Sequence, residues 1–478
     1  MTGEKHEQRT ATDVVVIGAG PVGEVVAQYA VEGGLSVTLV EHELLGGECS
    51  YYACIPSKAL LRPVAVADTT LDLPGVTDAA VDVPGLLARR DTWVSDYDDA
   101  GQLTWAAHAG VSVVRGHGKL VGERLVQVDD HMLLEARRAV VIATGSSPII
   151  PPVFQDVEPW TSRDATGVRE IPAHLVIVGG GVVACEAATW MAALGSRVTM
   201  LVRGDRLLSG WEEFAGGAVA QSLRGTRATQ ALRQRGVEVR FGTEVRGANR
   251  PNAATTGLGR LHGGPVSLTL SDESTVEAEE ILVATGRRPS LDAVGLDAVG
   301  VSADAVLSGE LPDWLHAVGD ATGTAPLTHV GKYHARVLGT RLAADAGGVS
   351  DHPAPDVVPV PQAVFTQPQA AMVGRTEAQA RQDGVDVVVS QVPYNAAAGT
   401  ALLQDSVSGA AKIVVDRSTG VLVGATFVGP DAAEQLHAAT VAITGGVPVH
   451  VLRHAIPSFP AVSELWLPLL EGLPTELR

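Results

Sequence analysis

The chain of 478 residues is 46% apolar and 19% charged, the balance of a globular protein with several cores, and at roughly 150 residues per domain its length gives about three domains. A formal charge of −19 repels phosphate backbones and anionic lipid surfaces, so neither nucleic acid nor a membrane is an expected partner. Residues 1–11 are polar, and the apolar run after them is broken by Gly18, Gly20, Pro21 and Gly23; this stretch reads as neither a signal peptide nor a membrane span, and a cytoplasmic protein is expected.

Residues 13–17 form a short apolar run that predicts a buried parallel strand. The turn Gly18-Ala19-Gly20-Pro21-Val22-Gly23 follows, then an apolar helix to about residue 33 and a second strand at 36–40 that ends in Glu41. Strand, glycine turn, helix, strand and acid in this order make a dinucleotide-binding unit. The glycines let the backbone approach a pyrophosphate at a helix N-terminus, and Glu41 is placed for a ribose hydroxyl.

Two of the three cysteines come next, Cys49 and Cys54, in the segment GGECSYYACIPSK. Three cysteines cannot form a disulfide scaffold, and a cytosolic pair this closely spaced is catalytic or metal-binding more often than structural. Neighbouring histidines or a second cysteine pair, which a zinc site would need, are absent. On a regular helix residues five apart point about 140° away from each other, so a bond between these sulfurs requires a distorted turn. Pro56 suits a first helical position, which sets Cys54 at a helix N-terminus, where the macrodipole favours a thiolate.

A strand at 140–145 ends in Ala-Thr-Gly. The whole pattern then recurs: a strand at 175–178, the turn Gly179-Gly180-Gly181-Val182-Val183-Ala184, a helix to about residue 194, a strand at 197–202 and a later strand at 281–286, again ending in Ala-Thr-Gly. Two such units imply two dinucleotides. In the second, Val202 stands where the first has Glu41, with Arg203 and Arg206 following. Arginines there accommodate a 2′-phosphate, so NADPH is expected over NADH; the competing reading is a solvated basic loop. Cys185, on the second helix, reads as core packing. The proline-rich stretch 351–362 reads as a linker. Beyond it, residues 411–415 and 421–428 flank Asp416-Arg417-Ser418-Thr419-Gly420 as strand, turn, strand.

With these motifs, GAGPVG, GGECSYYACIPSK, ATGSSP, GGGVVACE, ATGRRP, the Ala-Val-Gly-Asp at 317–320 and VFTQPQAAMVG around Phe365, the chain resembles the pyridine nucleotide-disulfide oxidoreductases over about residues 12–470. The resemblance implies an α/β protein with two Rossmann-like domains and a C-terminal α+β dimerisation domain. The FAD domain would take residues 1–150 and 290–350, the NADPH domain 151–289 and the interface domain 351–478. It implies a homodimer that passes electrons from the nicotinamide through FAD and the Cys49–Cys54 disulfide to a small-molecule or protein disulfide. By the same resemblance Cys54 is the flavin-side thiol and Cys49 the exchanging thiol. Lys58, one of only five lysines, pairs with Glu186 near flavin N5, and Asp320 binds the ribityl chain. Gly18, Gly20, Gly23, Glu41, Gly47, Gly118, Thr144, Gly145, Gly179, Gly181, Arg203, Arg206 and Gly286 complete the cofactor-binding set, with no metal.

The sequence departs from the family near its C-terminus. The family's His-Pro, with a Glu five residues after the His, handles the thiol proton; here Ile456 precedes Pro457, and Glu464 is displaced by three residues. His454 substitutes only if the loop is rebuilt, since a base must sit within about 3 Å of its proton. Val182 stands where many members place an aromatic ring over the flavin. Tyr51 and Tyr52, between the cysteines, line the approach to the disulfide, supply a weak proton donor, or pack in the core. The lost His-Pro motivates one alternative, reduction of quinones or other diffusible acceptors directly from the flavin; a second is a redox-responsive flavin-containing binding protein.

Overall fold

The computed structural model describes residues 8–71, 73–77, 79–225, 236–350, 354–355 and 358–478. The chain forms two compact units, one of residues 1–56, 90–149 and 286–354, the other of 57–89, 150–285 and 355–478.

In the first unit five strands run parallel in the order Ser112–Arg115, Val37–Glu41, Gln8–Ile17, Met132–Ile142, Leu315–Ala317. Val14, Val15 and Val16 lie at the centre with no exposed surface, as expected of a strand covered on both faces. The first strand begins five residues earlier than its apolar run. Residues 8–12 pair with 132–136 ahead of a bulge between Thr12 and Val14. This extension is polar and ends at an exposed ion pair, Arg9 with Glu135 at 2.7 Å, so hydrophobic periodicity did not reveal it. An antiparallel ribbon, Gly118–Gly122 with Leu125–Val128, continues the sheet beside the same half of Met132–Ile142.

Both Ala-Thr-Gly segments lie beyond their strands, which end at Ile142 and Val283. Gly145 (φ +71°) and Gly286 (φ +129°) take conformations that side chains disfavour. The three residues after each, Ser146–Pro148 and Arg287–Pro289, pair with one another as an antiparallel ribbon within the first unit.

In the second unit the parallel order is Glu238–Arg240, Arg197–Leu201, His174–Val178, Glu280–Val283. The helix Val182–Ala193 is apolar nearly all round and buries Ala184, Cys185, Ala187, Ala188, Trp190 and Met191, as a helix enclosed by its own core must. Burial pushes the Cys185 thiol up to about 12, so it stays neutral and packs. A three-stranded antiparallel sheet, Val245–Asn249, Val266–Leu270 and Thr275–Ala278, follows in the sequence.

The C-terminal part builds a five-stranded antiparallel sheet in the order Pro361–Val364, Gln369–Gly374, Leu422–Gly429, Ala410–Asp416, Val387–Pro393. The expected hairpin is its centre. Asp416 Oδ1 accepts the Ser418 N–H and hydroxyl, each at 2.7 Å, and Gly420 closes the turn at φ +67°. Of the proline-rich stretch, residues 351–353 and 356–357 lie outside the described residues. Pro361 opens an edge strand, a position where its missing N–H costs no ladder bond.

Arg250 and Glu280 form an ion pair with no exposed side-chain surface. Arg250 also donates to the His262 carbonyl at 3.0 Å, and Glu280 accepts the His262 N–H at 2.8 Å. Removing the guanidinium strands a buried carboxylate, so Arg250→Met is expected to cost about 3–5 kcal/mol in urea unfolding. A loss below about 1 kcal/mol would show that the pair adds nothing to this part of the second unit.

Candidate active site

Gly46 (φ +99°) and Gly47 (φ +56°) turn the chain into a short helix, Gly47–Tyr51, that carries Cys49. At Tyr52 the backbone leaves helical geometry (φ −128°, ψ −6°), and a new helix, Cys54–Thr70, starts two residues later. This interruption is the distorted turn that the five-residue spacing demands. It brings the two sulfurs into hydrogen-bonding contact as reduced, half-buried thiols. The second helix begins two residues before Pro56, so Cys54 is its first residue and Pro56 its third, still within the turn whose N–H groups lack helical partners. The shared hydrogen bond with Cys54, then burial, push the Cys49 thiol far above its ordinary range. The pair therefore takes up one negative charge well before two.

Thr328 was not singled out in the sequence. Its Oγ1 lies 3.4 Å from Cys54 Sγ. It is the first residue of the helix Thr328–Asp345, whose N-cap, Leu327, offers no capping side chain.

A cradle of glycines occupies the same unit. A Cβ on Gly18 (φ +104°) would collide with the Ala143 carbonyl oxygen, and one on Gly23 with that of Gly18. Gly20 is the N-cap of Pro21–Glu32 without a side-chain cap, leaving the N–H groups of a helix start open to an anion. A Cβ there would meet nothing nearer than the Gly47 Cα at 4.0 Å, whereas one on Gly47 would lie 2.7 Å from the Gly20 Cα. Gly118 packs against Val40 and Ile17, which a Cβ would approach to 3.0 and 3.2 Å. Glu41 accepts the N–H groups of Ala19 and Glu43, both at 2.8 Å. Burial opposes its ionisation, but the His42 imidazole and these N–H groups outweigh it and hold the carboxyl below its ordinary value.

Asp320 Oδ2 accepts the Ser146 hydroxyl at 2.6 Å. Arg287 in turn donates to the Ser146 hydroxyl and carbonyl at 2.8 and 2.5 Å, and lies 3.6 Å from Glu48. Ser146 and Arg287 were not singled out in the sequence, although each directly follows one of the two Ala-Thr-Gly copies. Thr144 Oγ1 is buried without a hydrogen-bond partner. An orphaned hydroxyl, an ionised Glu41 with a lone pair left on Oε2 and an uncapped helix start over bare glycines fit a dinucleotide.

In the second unit the glycine turn has the same logic. Gly179 (φ +135°) abuts the Ala284 carbonyl, and Gly181 faces open space at the uncapped start of Val182–Ala193. Val182 is half-buried there. Arg203 is exposed, and Arg206 donates to the Ser209 carbonyl at 2.8 Å. Lys58 Nζ sits 2.8 and 3.1 Å from the two carboxylate oxygens of Glu186, which is only 3% exposed. Phe365 joins this pair: its N–H donates to Glu186 at 3.0 Å, and its ring lies 4.9 Å from Lys58 Nζ.

Tyr51 and Tyr52 are buried. Tyr51 donates to Gln102 and Tyr52 to Glu43, at 2.9 and 2.8 Å. Burial, with Asp99 next in weight, pushes the Tyr51 phenol up to about 12. In the C-terminal loop Ile456 is 91% exposed and Phe459 78%, and His454 is exposed as well. Glu464 Oε2 accepts the N–H groups of Ala461 and Gly399, both at 3.0 Å. Among the described residues no His, Cys, Asp and Glu side chains gather as a metal-holding group, and no helix is long and apolar enough to cross a membrane.

Residues 12–335 match the pyridine nucleotide-disulphide oxidoreductase family, and residues 360–468 match its dimerisation domain. A dihydrolipoyl dehydrogenase of Bacillus subtilis is 30% identical over 96% of each chain. One from Halobacterium salinarum is 33% identical over 95% of this chain and 94% of its own. A mercuric reductase of Staphylococcus aureus is 28% identical over 95% of this chain and 80% of its own. Among solved structures, the HOCl-induced flavoprotein disulfide reductase RclA of Escherichia coli has the same fold, with a TM-score of 0.80 at 23% identity over 97% of this chain and 99% of its own. LpdA of Mycobacterium tuberculosis gives 0.79 at 25% identity with the same coverage. The twin parallel sheets, the contacting thiols and these likenesses lead to one conclusion: the chain belongs to the pyridine nucleotide-disulphide oxidoreductases, and it is an FAD-dependent enzyme of that family.

Proposed function

We propose that the enzyme passes the electron pair of NADPH through FAD and the Cys49–Cys54 pair to a disulfide, small-molecule or protein, as a cytoplasmic homodimer. The observation that carries this is the contact between the two sulfurs, with Cys49 held neutral, in the unit that holds the glycine cradle of Gly18, Gly20, Gly23 and Gly47. The working division is an FAD domain of residues 1–150 and 290–350, a nucleotide domain of 151–289 and an interface domain of 351–478.

When bound, FAD supplies the exchange between a two-electron hydride and a thiol couple. Glu41 orients a ribose, the first-turn N–H groups after Gly20 hold a pyrophosphate, and Thr144, Gly145 and Asp320 line the rest. Lys58, one helical turn after Cys54, is held in place by Glu186 and serves the flavin side of the reaction. Two electrons and one proton convert the Cys49–Cys54 disulfide into a Cys49 thiol and a Cys54 thiolate. Once deprotonated, Cys49 attacks the acceptor disulfide and expels one thiolate. Cys54 then attacks Cys49, the mixed disulfide breaks, and the second acceptor sulfur leaves as a thiolate.

Each leaving sulfur needs a proton. Ile456 has none to give, and the Glu464 oxygen that accepts two backbone N–H groups serves as a loop clamp. General acid–base catalysis is worth about 10²- to 10⁴-fold, so turnover with lipoamide or glutathione disulfide is expected to be slow by that order. The exposed Ile456 and Phe459, apolar where a base is missing, favour as a second reading a diffusible quinone reduced from the flavin.

The two-electron-reduced enzyme is expected to show a long-wavelength thiolate-to-flavin band together with weak lipoamide turnover. His454→Ala should leave that residual rate unchanged, and Glu464→Gln should lower the melting temperature more than it alters the pH profile. Fast lipoamide turnover in the wild type would overturn this view of the C-terminal loop.

The exposed Arg203, after a strand that ends without an acid, supports NADPH. Flavin reduction by NADPH is expected to outpace that by NADH, and Arg203→Glu to reverse the order. A wild type that already prefers NADH would make Arg203 and Arg206 plain surface residues.

A further inference from the structure

In the proposed cycle one sulfur of the thiol pair carries charge at every turn. Two helices begin at the pair. Cys54 is the first residue of Cys54–Thr70, and Thr328, 3.4 Å from its sulfur, is the first residue of Thr328–Asp345. The second helix has 18 residues and no side-chain cap, so its positive end is directed by Thr328 toward the sulfurs. Glu48, beside Cys49, faces Arg287 at 3.6 Å, and Lys332, one turn beyond Thr328, acts on Glu24. His329, next to Thr328, is exposed.

We propose that Thr328 is a positioning residue of the redox pair, its hydroxyl donating to whichever of Cys54 and Cys49 is the thiolate and holding the two sulfurs in line for exchange. The proposal rests on the reading that this pair cycles between disulfide and dithiol. The Cys54 contact is direct, and the same hydroxyl also hydrogen-bonds Cys49, drawing its proton affinity down against the three larger effects that raise it. A hydroxyl can turn from one sulfur to the other without changing its own protonation. It thus stabilises the charge at either stage but supplies no proton, which agrees with a pair that is readily reduced and slow to release a product thiol. A bond to an ionised acceptor is stronger than one to a neutral group, so Thr328 favours the reduced, singly charged pair over the dithiol.

The test is the pH dependence of iodoacetamide alkylation of the reduced holoenzyme, with labels assigned to Cys49 and Cys54 by fragment-ion mass spectrometry. Wild type is compared with Thr328→Val, Thr328→Ala and Thr328→Ser, each checked for flavin content and melting temperature. Loss of the hydroxyl in the Val and Ala variants is expected to raise the first alkylation midpoint by about one pH unit, tenfold in proton affinity. Thr328→Ser should keep the wild-type midpoint. Midpoints that coincide in all four proteins, or a serine variant that shifts as far as valine, would overturn the proposal; the alanine variant decides it if valine fails to fold. Alkylation reads the thiolate without help from the flavin. Absence of the long-wavelength band in the wild type would therefore count against Cys54 lying at the flavin and would leave the Thr328 comparison intact.

Discussion

Sulfurs five residues apart on one continuous helix cannot touch, and much of the site follows from how the chain avoids that helix. The positive-φ glycines at 46 and 47 start a helix of only five residues, and Tyr52 leaves helical geometry before Cys54 starts the next. Buried Tyr51 and Tyr52 fix the break from within, anchored through Gln102 and Glu43. The same turn lays Gly47 against Gly20, so the segment that bends the thiols together also closes over the dinucleotide loop. Replacing Gly47 would disturb both at once, since its Cβ would lie 2.7 Å from the Gly20 Cα.

The electrostatics of the pair are those of one charge shared by two sulfurs. Cys49 is held neutral by its neighbour and by burial, and the proposed cycle assigns the thiolate to Cys54 at a helix start. In the proposed cycle proton delivery is the weak point. Relative to the family pattern the C-terminal loop is three residues longer before its glutamate, presents Ile456 and Phe459 to solvent, and commits an oxygen of Glu464 to two backbone N–H groups. On the proposed reading the first unit stores the electrons, and neither Ile456 nor the clamped oxygen of Glu464 gives acid–base help to the product.

Much of this was legible in the sequence because it rests on local rules. Both glycine turns, both parallel sheets, the Asp416–Gly420 hairpin and the core role of Cys185 follow from short motifs or from apolar runs. Hidden features depend on residues distant in the chain. The polar start of the first strand is invisible to hydrophobic periodicity because Arg9 and Glu135 stabilise its exposed end. The ribbon joining Ser146 to Arg287 spans more than a hundred residues, and only the repetition of Ala-Thr-Gly hinted at it. Thr328 reaches Cys54 across 274 positions. The shift of the helix start from Pro56 to Cys54 has a simpler origin, since proline is tolerated anywhere in a first turn that has no N–H bonds to lose.

The central claim is that electrons from the nicotinamide reach the Cys49–Cys54 pair. Anaerobic addition of one equivalent of NADPH to the oxidised holoenzyme, followed at once by alkylation in denaturant and mass analysis, tests it directly. Both Cys49 and Cys54 should become labelled while Cys185, a buried thiol already reduced, labels equally before and after. Bleaching of the flavin with Cys49 and Cys54 still unlabelled would mean that the pair stands outside the electron path, and would contradict the claim.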